Sequence, residues 1–240
     1  MHPTRSLLLA HPADDDAALR RAERLLDHLA AHHIRTDSVA GLIAGAHTAP
    51  ASLVIAPHNA EQLARWIDVL APTAATAYAV IPAARLAEDP AFARALAQAA
   101  GFGVVALCAG QTGAPLRGLS AAALRAALAA SRDALEHVCG YPIRGLWCAP
   151  DAHGRALDGL ILAEALDAGL TTLRAPGFGV DHALARLGAL DAARVIWTRN
   201  VTDSRPAEVT RWLTRSDVLT RAEATFYAIR AGLNAPISGA

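Results

Sequence analysis

The sequence predicts a parallel α/β fold, an irregular (β/α) barrel. Two observations carry that expectation. Short apolar runs alternate with amphipathic stretches along most of the 240 residues, and strict alternation of strand and helix means a parallel sheet. Up to eight such runs fit in the length of one barrel, and no repeat, low-complexity tract or linker divides them. An open doubly wound sheet is the second choice. One domain spanning 1–240 is expected, with 1–50 as a candidate appended βαβ unit.

The elements follow in order. Residues 6–11, "SLLLAH", read as a strand. Over 17–33, Leu19, Ala22, Leu26 and Leu29 share one face, which predicts a helix. Residues 34–42 read as a weak strand. The strand 52–57, "SLVIAP", is followed by Asn59 and, three residues on, Gln62, a helix-start signature. Leu63, Trp66, Ile67 and Leu70 give that helix its buried face. A strand at 76–82 leads to a helix at 88–100, closed by Gly101. After the strand 103–108, a long helix from Ser120 to about Val138 places Leu124, Leu128, Ser131, Leu135 and Val138 in one stripe. Strands at 144–150, 171–176 and 194–200 alternate with helices near 157–168 and 182–188. Helices at 205–215 and 220–231 end the chain.

Composition narrows the function. Hydrophobic residues make up 53% of the chain, enough for a large core. Net charge is zero, with the two signs interspersed, so nucleic acid is not an expected partner. All 22 basic residues are arginine, which excludes lysine Schiff-base chemistry and a phosphate-loop lysine. The N-terminal apolar run of four residues falls short of the roughly 7–15 of a signal peptide. No run reaches the roughly 18 residues of a membrane span. A cytoplasmic location is therefore expected. Cys108, Cys139 and Cys148 show no disulfide-framework spacing.

In parallel α/β folds the working groups stand at the carboxyl ends of strands. The groups there are His11 with Asp14, Asp15 and Asp16; His58 and Asn59; Cys108, Gln111 and Thr112; Cys148, Asp151 and His153; and Arg199, Asn200 and Asp203. Each also has a purely structural reading. Three aspartates at a helix start suit the positive end of its dipole. Cys108 and Cys148 suit buried small hydrophobes. Asp151, His153 and Gly154 suit a turn. The remaining histidines, His28 and His32 among them, receive no role.

Residues 7–16, "LLLAHPADDD", look like the Ala-His-Pro-Asp-Asp motif of zinc-dependent N-acetylglucosaminyl deacetylases, interrupted at Ala13 and lacking that family's later paired histidines. The stretch from about 52 to 226 resembles the NodB-type polysaccharide deacetylases. Its closest part is "LSAAALRAALAASRDALEHVCGYPIRGLWCAP", similar to that family's long helix, the Gly after it, and a strand carrying Arg and Pro. The resemblance implies a deacetylase-type irregular barrel. It also implies a metal held by one aspartate and two histidines, with a second aspartate as base.

None of those groups stands in its expected place. The aspartate pair falls at Ala56 and Pro57, beside His58. The histidine pair falls at Cys108 and Thr112, and the arginine at Cys148. The late histidine falls at Thr198 or Arg199. The expectation is a scaffold that has lost its metal-dependent residues, needs no cofactor, and binds a glycan, a sugar precursor or a partner protein. The alternative is a deacetylase-like hydrolase rebuilt on His58, Cys108, Cys148, Asp151 and His153, where two thiolates and an imidazole suit zinc. A third choice is an unrelated enzyme using His11 and Asp14–Asp16.

Overall fold

The computed structural model describes residues 5–9, 16–45, 51–176, 194–200 and 205–214. The helices expected at 182–188 and 220–231, and His11, Asp14, Asp15 and Asp203, lie outside these described residues. Seven parallel strands close into a barrel in chain order: β1 (Arg5–Leu8), β2 (Ala51–Ile55), β3 (Ala77–Ile81), β4 (Val104–Cys108), β5 (Gly145–Trp147), β6 (Thr172–Pro176) and β7 (Arg194–Asn200). β7 pairs with β1, which closes the ring. β1, from the segment 1–50, thus lies hydrogen-bonded between β2 and β7. The helices are α1 (Asp16–Ala31), α2 (Val39–Ala44), α3 (Ala60–Leu70), α4 (Ala84–Glu88), α5 (Pro90–Ala99), α6 (Ala121–Cys139), α7 (Gly159–Asp167) and α8 (Pro206–Thr214).

Among the described residues seven strands form where up to eight were expected for the chain. The weak strand at 34–42 makes only an isolated bridge, Thr36 to Ala51. Ser38 then takes over, because its side chain accepts from the Gly41 N–H and starts α2. The helix expected at 88–100 is split at Asp89, which caps Phe92 ahead of Pro90. A 3-10 turn over Ala100–Phe102 follows it, and that turn is closed by Gly103 rather than Gly101. Gly103 has φ +85°, and a Cβ there would stand 3.0 Å from the Ala75 carbonyl. The predicted start of α3 holds, with a variation. Asn59 accepts from Gln62 N–H at 2.9 Å, while Gln62 accepts from His58 N–H rather than from Asn59.

Alternation along the strands divides the core in two. Leu53, Ile55, Ala77, Ala79, Ile81, Leu146 and Leu173 face the surrounding helices. Val54, Tyr78, Val105 and Leu107 fill the barrel, and Leu42 of α2 packs against them. A Cβ at Gly45, just after α2, would meet Arg144, Thr171 and Thr172, so α2 closes the amino end of the barrel. The seam between β4 and β5 is thin, with one register pair, Cys108 to Leu146. Tyr141 reinforces it: its hydroxyl accepts from the Ala106 N–H at 2.9 Å.

Candidate functional site

The carboxyl ends of β2 to β6 form the mouth where chemistry is expected. Cys108 and Cys148 stand at the same end of adjacent strands. Their side chains follow the outward parity of Leu146 and are buried in the helix-facing core, away from the barrel interior. Burial pushes the Cys108 thiol up to about 11, and it pushes Cys148, which is wholly enclosed, further in the same direction. A protonated, enclosed thiol is a poor nucleophile and a poor metal ligand. Cys139, at the end of α6, is half-buried and is also raised to about 11 by burial. Limited alkylation at neutral pH, read by mass spectrometry, is therefore expected to label Cys108 and Cys148 no faster than Cys139. Selective fast labelling of either would show an activated thiol.

His58 is half-buried just before α3, in the position that joins β2 to its helix. Asp151 is engaged in holding a loop together. One carboxylate oxygen accepts from the N–H groups of His153 and Arg155 at 2.8 and 2.9 Å. The other lies 3.4 Å from Arg117 and 3.3 Å from Arg155. The Arg155 N–H bond is the main cause that holds its carboxyl below the usual range. Arg117 also reaches Asp158 at 3.6 Å and donates to the Leu157 carbonyl. This cluster ties the β4–α6 loop to the β5–α7 loop. His153 is exposed at the turn. The five candidates thus divide among a helix start, the outer core and a loop staple. Among the described residues, no group of three or more His, Cys, Asp or Glu is placed to hold a metal. Of the Asp14–Asp16 run, Asp16 opens α1 and pairs with Arg65 at 3.0 Å.

The inner wall holds a residue that sequence reasoning missed. Arg174, in β6, is fully buried inside the barrel. Its guanidinium carbon lies 4.0 Å from the centre of the Tyr78 ring, and it donates to the Ser52 hydroxyl at 3.0 Å. Both contacts suit a delocalised cation taken out of water. Gly145 leaves the space for this arrangement. A Cβ there would meet Leu107 at 2.5 Å and the guanidinium at 3.6 Å. The signal was present in "TTLRAP": period-two alternation puts Thr172 and Arg174 on the face opposite the outward Leu173 and Ala175. Trp147 pairs in register with Arg174 and is half-buried toward the mouth. The mouth therefore offers an aromatic face and, deeper, a buried cation. The positions where a deacetylase carboxylate pair was expected hold Ala56, half-buried, and Pro57, buried.

No protein-family model matches the sequence, and a search of curated proteins finds no match. Solved structures do match. A deacetylase, PplD, from Streptococcus pyogenes, in complex with acetate, superposes with a TM-score of 0.68 at 11% identity, covering 88% of this chain and 98% of that one. IcaB from Ammonifex degensii gives 0.61 at 11% identity over 88% and 97%. A de-N-acetylase from Aggregatibacter actinomycetemcomitans gives 0.57 at 12% identity over 87% and 97%. At 88% coverage the unmatched part of this chain is shorter than the 50 residues before β2, so the match reaches back into that segment. The seven-stranded parallel barrel with its surrounding helices is the fold of the NodB-type polysaccharide deacetylases.

Proposed function

We propose that this chain is a deacetylase-type barrel without the metal-dependent hydrolase activity, and that it binds a glycan or sugar precursor at the barrel mouth. One observation carries this reading. Where a metal hydrolase needs three ligands and an open position to acidify water, the strand ends present Ala56, Pro57, and thiols turned into the helix-facing core. Trp147 supplies a flat apolar surface of the kind that binds amphipathic rings. A tryptophan that bears a ligand should be sensitive to truncation. Titration with N-acetylated sugar oligomers is expected to show saturable binding that weakens at least about tenfold, or ~1.4 kcal/mol, in Trp147→Ala. Unchanged affinity in that variant, or no binding by the native chain, would remove the glycan from this reading.

A second reading keeps catalysis. His11, Asp14 and Asp15 follow β1 in sequence, and β1 is a strand of the barrel next to β2. On that reading the working groups are His11 and the Asp14–Asp16 run. Chelator-sensitive turnover lost on His11→Ala would favour it over the binding module.

A further inference from the structure

The last turn of α1 and the residue just past its end carry a histidine pair that the barrel does not use. His28 and His32 are four residues apart, so they share one face of the helix. Their ring centroids lie 4.1 Å apart with the planes inclined at 33°. His32 is exposed and His28 half-buried. The Nδ1 of His32 lies 2.8 Å from the His28 carbonyl oxygen. A carbonyl only accepts, so Nδ1 bears the proton and the lone pair of the neutral ring resides on Nε2. A histidine that binds metal commonly donates its other nitrogen to a carbonyl in this way, which fixes the tautomer and the ring direction. Two metal–nitrogen bonds of about 2.0–2.1 Å place the nitrogens roughly 3 Å apart. Two histidines four apart on one helix face can reach a single metal, and from rings 4.1 Å apart and inclined at 33° the nitrogen lone pairs, which lie in the ring planes, converge when the rings turn about their side-chain bonds.

We infer that His28 and His32 form a bidentate surface site for a divalent transition metal, with water completing the coordination. Imidazole donors suit copper, nickel and zinc, and copper(II) binds most tightly in that order of metals. Arg24 stands one turn before His28 and adds positive charge nearby, which favours a modest affinity. The site lies on the outer helix layer and is independent of any ligand in the barrel mouth.

Copper(II) titration of the full chain, followed by electron paramagnetic resonance and calorimetry, tests this inference. The native chain is expected to bind its tightest equivalent with nitrogen hyperfine structure from two imidazoles. His28→Ala and His32→Ala should each weaken that equivalent by at least the roughly 10–100-fold that even outer-shell changes cost. His137→Ala, on the exposed face of α6, should leave it unchanged. The metal-free variants should keep the native helix signal, because neither ring is deeply buried. An unaltered tight equivalent in the doubly substituted His28→Ala/His32→Ala chain would overturn the proposal. So would the absence of nitrogen-coordinated copper in the native chain.

Discussion

Tyr78→Ala is expected to destabilise the protein by about 3–5 kcal/mol, the range for deleting a large buried aromatic. Tyr78 is 2% exposed in the middle of β3. Its ring packs in the barrel interior with Val54, Val105, Leu107 and Leu42. It also covers the Arg174 guanidinium, and its hydroxyl donates to the Leu42 carbonyl at 2.7 Å. That bond ties α2, which closes the amino end, to the barrel wall. At roughly 2–4 °C per kcal/mol for a chain of this size, the thermal midpoint should fall by on the order of 10 °C. Tyr78→Phe separates the ring from the hydroxyl. It keeps the packing and the cation contact and removes one of the two donors to the Leu42 carbonyl, which still accepts from the Gly45 N–H at 3.2 Å, so the cost is that of a single hydrogen bond, about 0.5–1.5 kcal/mol. Urea denaturation of both variants checks the order. A loss below about 1 kcal/mol for Tyr78→Ala would mean that the Arg174 side chain does not rest inside the barrel.

Tyr141→Phe should cost about 1–3 kcal/mol although it removes a single oxygen. β5 is three residues long and meets β4 at one register pair. The Ala106 N–H on that edge is satisfied by the Tyr141 hydroxyl, which also bonds the Cys139 thiol. Without the oxygen, a backbone donor in the seam is left without that partner. Faster amide exchange at Ala106, measured by NMR, should accompany the loss. Stability and exchange both equal to the native chain would show that the seam is held by other contacts.

The barrel was legible in the sequence because its strands are compact apolar runs between helix signals such as Asn59 and Ser120. The facing of each side chain was harder to read. In a parallel barrel both faces of a strand are buried, so "GVVALC" carries no polar alternation to mark its inner face. Cys108 therefore read as a strand-end group, although its parity turns it toward the helices. Arg174 sits among apolar strand neighbours that hide it, and it marks the inner face once parity is applied. The segment 34–42 differs for another reason: Ile34, Val39 and Leu42 look strand-like, but Ser38 and Gly45 bracket a six-residue helix, Val39–Ala44. Asp151 offered a carboxylate at the right height, and nothing in the sequence showed that Arg117 and Arg155 would occupy it.

The central claim is that the deacetylase fold persists here without its metal chemistry. Acetate release from N-acetylated and O-acetylated sugars, with added zinc and with and without chelator, tests it most directly. Loss of even one electrostatic group from an active site costs roughly 10²–10³ in rate, and on the proposed reading the positions that the sequence resemblance assigns to the full set hold other residues. The assay is best run on the His28→Ala/His32→Ala chain, so that metal on the helix surface does not enter. The account predicts no acetate above background and no difference on chelation. Robust release that zinc stimulates and chelator abolishes would contradict it.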